Sequence, residues 1–423
     1  MIFRRALVQL LAAAVLIPAL SAQAAAEDVN WSDDLTALVE GLATKHLNPF
    51  FKIKREEFEA AAGKLRDRLP DLPAWQIPVE IQRLVAMIGD AHTGVGSPAR
   101  PLTRQYPLVL AWLSDGVFVA ATTEPHAGLL KARLLRVGDK SVDDAAKAVV
   151  PFAAVENRAS FERVAARHLA VPEYLKAGGV IDDMDAAAFA FRTADGKELS
   201  ITLTPSASVS AAEWKIAPAD DVTKQSPSRR RQRDTYGFHL IPDSKAIYVW
   251  YDQCTSAAFK SIPDWSKETL TAIDENNVER VVFDLRRNGG GNSALLAPML
   301  VGLQSRETIA RPGGLVILIG RNTFSSAELN AEALRRIDGA ILMGYPTGQK
   351  PNAYGEVKTF TLPSSKLVVQ YSTKFFKRTD EDVESLMPDV RVEMASADFF
   401  AGGDVVLDAA LSWRPPATQP DRE

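Results

Sequence analysis

Cysteine is almost absent: Cys254 is the only one in 423 residues, so no internal disulfide can form and packing alone must hold the fold. No paired cysteines and no metal-binding helix motif occur, so no metal is expected. The chain's longest glycine run, Gly289–Gly291, is followed by no Gly-Lys-Ser/Thr. The spacing of a dinucleotide fingerprint is missing too, which removes phosphate-loop and nicotinamide cofactors from the expected chemistry. A strong charge of either sign is also lacking. The formal net charge of −4 gives no reason to expect nucleic acid or an anionic membrane surface as partner. Internal repeats are absent, and the apolar run at the N-terminus is too short for a membrane span.

That run extends from Ala6 to Leu20, after Arg4 and Arg5, and is closed by the small-x-small pattern Ala22-Gln23-Ala24. The combination reads as a cleaved secretory signal over residues 1–24, with no membrane span left in the mature chain. No cysteine follows that would carry a lipid. An exported protein without disulfides suits a bacterial periplasm best. Hydrophobic content of 46% with 24% charged residues is an ordinary globular balance, and the length calls for two or three domains.

Residues 27–104 read as a helical domain: Leu35, Leu38, Val39 and Leu42 share one helix face, as do Phe58, Ala61, Ala62 and Leu65, then Ile81, Leu84, Val85 and Ile88. Over 105–205 short strands replace them, with a tight turn at Gly138-Asp139, a helix capped by Ser141 or Asp143, a helical insertion over 159–185 and a closing hairpin, Ala187–Arg192 with Glu198–Leu203. Residues 206–235 read as a linker whose Ser228–Arg233 stretch is solvated. From 236 to 415 strands and helices alternate, which predicts a layered α/β domain with a largely parallel sheet. Two late runs, Glu356–Leu362 and Lys366–Tyr371, read as a strand pair.

Three constellations in this last stretch can carry chemistry. An apolar strand runs into Asp284-Leu-Arg-Arg-Asn-Gly-Gly-Gly291, where glycines let main-chain N–H groups approach an anion closely. Another leads through a short turn to Ser325-Ser-Ala-Glu328 at a helix start. A hydroxyl there sits at the positive end of the helix dipole, although a serine in that position is most often a plain N-cap. The third is Pro346-Thr-Gly-Gln-Lys350, a Gly/Pro loop whose lysine is either surface charge or, if desolvated, a base for a serine.

Together these resemble the carboxy-terminal processing (tail-specific) serine protease family, whose motifs are Asp-Leu-Arg-x-Asn-x-Gly-Gly, Ser-Ala-Ser-Glu and Pro-Thr-x-Gly-Lys. The resemblance covers roughly 236–415 well and the rest more loosely, and Lys350 follows Ser325 by the family's 25 residues. It implies a ClpP/crotonase-like layered α/β catalytic domain, here with an N-terminal helical segment and a divergent PDZ-like domain over 105–205. It implies a peptidase without cofactor, acting on a peptide or protein substrate. Ser325 matches the nucleophile, Lys350 the general base, and Gly290 or Gly291 with the amide of Ser326 the oxyanion donors. Gly348-Gln349 departs from the x-Gly pair expected before the lysine, and the carboxylate-binding loop of a PDZ domain is not visible. Gly89-Asp-Ala-His-Thr93 resembles a histidine segment of the branch nearer the tricorn protease core, where a histidine activates the serine with help from a carboxylate. His92 is thus the alternative base, with Glu384 and Asp389 as carboxylates to orient it. His46-Leu-Asn-Pro-Phe50 resembles another segment of that branch. Two further readings stay open at this level: a catalytically silent binder of peptides or small ligands on the same fold, and a non-peptide acyl hydrolase.

Overall fold

The structure, a computed structural model, describes residues 29–97, 102–206, 213–217, 225–230, 234–258 and 260–416. The expected signal segment 1–24 lies outside the described residues, among which no helix is long and apolar enough to cross a membrane. The chain forms two compact units: the described residues of Met1–Trp112, Gly116–Ala217 and Asn352–Glu381 in one, and those of Leu113–Asp115, Pro218–Pro351 and Asp382–Glu423 in the other.

The second unit is built on a six-stranded sheet. From one edge to the other its strands are Val390–Arg391, Ile341–Gly344, Leu315–Ile319, Arg280–Asp284, Ala246–Tyr251 and Tyr236–Leu240. All pairs are parallel except the last. Such strands need both faces covered, and their near-continuous apolar runs follow from that. Alternate side chains serve opposite faces. Ile247, Val249, Val281, Phe283, Leu315 and Ile317 pack under the helices Ile262–Glu275, Ala297–Gln304 and Ser326–Arg335. Tyr248, Trp250, Val282, Val316 and Leu318 meet Val406, Leu407 and Ala410 of the helix Val405–Ser412. The parallel α/β layering predicted for this stretch is present.

The first unit begins with the helices Trp31–Lys45, Arg55–Arg68 and Gln76–Ala86, whose expected apolar stripes pack with Leu362, Leu367, Val369 and Tyr371. Those partners belong to the late strand pair, longer than the sequence suggested at Ala353–Thr361 and Val368–Phe376, with Gly94–Gly96 added antiparallel at its edge. A larger antiparallel sheet runs Leu108–Leu113, Gly116–Thr123, Arg133–Val137, Ala187–Arg192, Glu198–Leu203, the last two being the expected hairpin. The helix Val142–Val149 covers Leu134 and Val137 and is capped by Ser141, whose oxygen accepts from the Asp144 amide.

One expectation is corrected. The start of Ser228–Arg233 is not solvated linker. Ser228 is buried and donates to Asp404 at 2.6 Å, while the Arg229 guanidinium stacks on Phe399, 4.3 Å from the ring centre. The partners that settle this, Phe399 for Arg229 and Asp404 for Ser228, lie 170 and 176 residues downstream, beyond the reach of local charge patterning.

Asp404 is also one jaw of a buried clamp. Arg286 donates to both oxygens of Asp404 (2.8 and 2.6 Å) and to both oxygens of Asp284 (2.9 and 2.8 Å), and Tyr248 adds its hydroxyl to Asp284 at 2.6 Å. Although burial works against it, the guanidinium holds the Asp404 carboxyl far below the usual carboxylate range. Its stabilisation is therefore present above the unfolded carboxyl's pKa and is lost as pH falls through the depressed folded value. Removing one partner strands a buried charge. Arg286→Met is expected to lower unfolding free energy by about 3–5 kcal/mol at neutral pH, read by urea denaturation. Stability unchanged within about 1 kcal/mol would show that the clamp is not needed.

Candidate active site

Each of the three constellations leaves the second unit's sheet at the carboxyl end of a strand: Arg280–Asp284, Leu315–Ile319 and Ile341–Gly344, three neighbours in the order. In open parallel sheets this is where ligands bind.

Ser325 occupies the N-cap position of the helix Ser326–Arg335, yet its side chain makes no capping hydrogen bond. The plain-cap interpretation therefore does not describe it. Its backbone, at φ 56° and ψ −129°, lies in a region that costs a non-glycine residue about 1–3 kcal/mol. A strained serine between strand and helix is the geometry that exposes a nucleophilic hydroxyl, and Ser325 is partly solvent-accessible.

The glycine turn packs directly on it. Gly290, at φ 106°, lies so close that an added Cβ would sit 2.7 Å from the Ser325 Cβ and 3.1 Å from the Ser326 nitrogen. Gly291, at φ 134°, would bring a Cβ to 2.3 Å from the Cys254 carbonyl oxygen. The Ser326 hydroxyl donates to the Gly291 carbonyl at 2.6 Å and ties turn to helix. Asn288, fully buried, organises the turn: its Nδ2 donates to Tyr251 O, its Oδ1 accepts from the Gly290 amide at 2.9 Å, and its own carbonyl accepts from the Phe324 amide. With the Gly290 N–H spent on Asn288, the exposed Gly291 and the helix-first amide of Ser326 are the better placed of the three expected donors. Burial pushes the neighbouring Cys254 thiol up to about 11, so it offers no thiolate to compete with a serine.

Lys350 lies in the expected loop with its side chain largely covered, and its Nζ donates to Asp382 at 2.7 Å, with Glu384 at 3.9 Å. Asp389 is bound by Arg335 at 2.5 Å and by the Leu342 amide at 2.8 Å. One residue escaped the sequence analysis except as a departure from a motif. Gln349, buried beside the lysine, accepts the Ser325 amide on its Oε1 at 2.6 Å.

His92 belongs to the first unit and is buried. The turn that presents it is organised by Asp90, which accepts the His92 amide (2.9 Å), the Thr93 hydroxyl (2.5 Å), the Ser372 hydroxyl (2.6 Å) and His46 Nε2 (3.0 Å). Since the Asn48 amide can only donate, and meets His46 Nδ1 at 3.0 Å, the His46 proton is on Nε2 and points at Asp90. This gives both expected sequence segments, His46–Phe50 and Gly89–Thr93, a physical connection. Burial lowers the His92 pKa below the ordinary imidazole value; Asp90, 3.9 Å from Nδ1, opposes the shift and Arg163 adds to it. The result is a neutral imidazole at neutral pH. Among the described residues no group of His, Cys, Asp and Glu side chains could hold a metal ion.

No curated protein matches the chain by sequence. Among solved structures, mature CPAF complexed with lactacystin is similar at 13% identity and a TM-score of 0.61, over 89% of this chain and 96% of that one. Mature CPAF alone gives 13% identity and a TM-score of 0.59, over 88% and 94%. The photosystem II D1 C-terminal processing protease matches at 15% identity, over 89% and 98%, with a TM-score of 0.41. At such identities the CPAF likeness speaks for the fold. Residues 252–392, which include the glycine turn, Ser325 and Lys350, match the model of peptidase family S41. The chain therefore carries a peptidase family S41 domain, the domain of a serine-type peptidase family.

Proposed function

We propose that the protein hydrolyses peptide bonds through an acyl-enzyme on Ser325, with His92 as general base. The observation that carries this reading is the strained, non-capping Ser325 lying against a glycine turn at the carboxyl end of a parallel sheet. In the first step the Ser325 Oγ attacks the scissile carbonyl carbon while the base takes its proton. The new oxyanion receives the N–H groups of Gly291 and Ser326. Collapse of the tetrahedral species breaks the C–N bond, and the amine leaves with the proton held by the base. Water then attacks the ester by the same route and frees the acid.

Two facts favour His92 over Lys350. The imidazole is neutral at neutral pH, as a base must be, whereas the Lys350 Nζ is engaged by Asp382. Asp389 is engaged by Arg335 and the Leu342 amide, and Glu384 stands 3.9 Å from the Lys350 Nζ; the carboxylate beside the imidazole is Asp90, 3.9 Å from Nδ1. The antiparallel sheet and the helix Val142–Val149 support a PDZ-like character for 105–205. Export to a periplasm rests on the Arg4–Ala24 pattern alone.

Ser325→Ala is expected to abolish both peptide hydrolysis and labelling by a fluorophosphonate probe; full activity in that variant refutes the nucleophile. A panel of peptide and ester substrates separates a peptidase from another acyl hydrolase. His92→Ala is expected to lose at least about 10²-fold in kcat while Lys350→Ala, equally well folded by circular dichroism, loses less than about 10-fold. The opposite ranking assigns the base to Lys350. Because burial depresses the His92 pKa, the acidic limb of kcat/KM against pH should fall below the ordinary value of about 6.5. Arg163→Met removes a positive neighbour, makes the imidazolium less costly and should move that limb upward; an unmoved limb places the titrating base elsewhere.

A further inference from the structure

A serine at positive φ persists only if its surroundings hold it there. Several contacts hold the turn at its flanks. The Phe324 amide reaches Asn288 O, the Gly348 amide reaches Thr323 O at 3.3 Å, and the Ser326 hydroxyl reaches Gly291 O. Among the described residues one contact holds the amide of Ser325 itself, and it comes from a side chain 24 residues downstream, the Gln349 Oε1 at 2.6 Å. Gln349 is 5% exposed, and its loop is fixed in turn. The Thr347 hydroxyl donates to the Gln349 carbonyl at 3.2 Å and accepts the Leu386 amide at 3.1 Å, while the Thr347 amide donates to Leu386 O at 3.3 Å.

From this geometry we infer that Gln349 is a positioning residue for the nucleophile, acting through the Ser325 main chain. The inference deepens the proposed function and rests on Ser325 being the nucleophile. Two consequences follow from the chemistry of the amide. A main-chain N–H can only donate, so the carboxamide oxygen must face Ser325 and the Nε2 must face away. The Ser325 N–H is also taken, so it is not an oxyanion donor, and that task falls to Gly291 and Ser326. A glycine at 349, as in the motif this loop otherwise resembles, has no side chain to make the contact. The departure in sequence is therefore where the device resides.

Gln349→Met keeps the length and bulk of the side chain but removes the acceptor. The full-length variant is expected to titrate fully with a fluorophosphonate, while the rate of labelling per site and kcat both fall about 10- to 100-fold and KM changes little. A merely structural role would instead lower the titratable fraction and the melting temperature and leave the rate per labelled site at the wild-type value, which overturns the inference. Should the variant not fold, wild-type protein labelled with 15N-serine decides. A slowly exchanging Ser325 amide supports the contact, and exchange at the rate of an open amide overturns it. If wild-type protein itself is not labelled at Ser325, the nucleophile reading fails first and takes this inference with it. Labelled wild type with an unchanged rate per site in Gln349→Met removes only the role of Gln349.

Discussion

A parallel strand buried on both faces can return to its sheet only through a crossover, so the loops that follow successive parallel strands all leave the same end of the sheet. In the second unit this constraint gathers the chemistry. Arg280–Asp284, Leu315–Ile319 and Ile341–Gly344 are adjacent and parallel, and each ends in one of the three polar loops. Segments separated by tens of residues along the chain thus share one end of the sheet. The alternation of apolar side chains along the strands fills two layers, one on each face of the sheet.

What converges there is held by polar contacts rather than by bulk. Arg286 fastens the strand end to the helix Val405–Ser412 through Asp404, just ahead of the glycine turn. Asn288 and the Ser326 hydroxyl fasten the turn to the nucleophile helix, and Gln349 fastens the third loop to Ser325. These groups are buried or nearly so, where a satisfied hydrogen bond is strong and an unsatisfied one costly. The strain at Ser325 is thus set against several contacts from different strand ends. Asp90 does for the His92 turn in the first unit what Asn288 does for the glycine turn, one side chain accepting from four donors.

Much of this was legible in the chain, and the reason differs by element. The helix stripes at Leu35–Leu42 and Phe58–Leu65 and the hairpin Ala187–Arg192 with Glu198–Leu203 are local patterns, and the structure contains them with nearly the expected bounds. The late strand pair was read too short, because Tyr354 and Phe375 extend it through pairing that single-strand periodicity does not register. Ser228 was read as solvated because its partner, Asp404, lies 176 residues away. Gln349 drew notice only for breaking a motif; its bond to a main-chain amide has no sequence pattern.

Composition and motif order determined that this is an α/β chain held without disulfides, with a serine at a helix start, a glycine turn and a lysine loop in succession. Such features depend on neighbours within a few residues, so they can be read along the line. Tertiary structure decided the rest. It turned Ser325 from a helix cap into a strained, uncapped hydroxyl, engaged Gly290 and left Gly291, gave Lys350 to Asp382 and made His92 a buried neutral imidazole. Each of these depends on which distant group occupies a hydrogen-bonding position or excludes water, and only the folded chain specifies that.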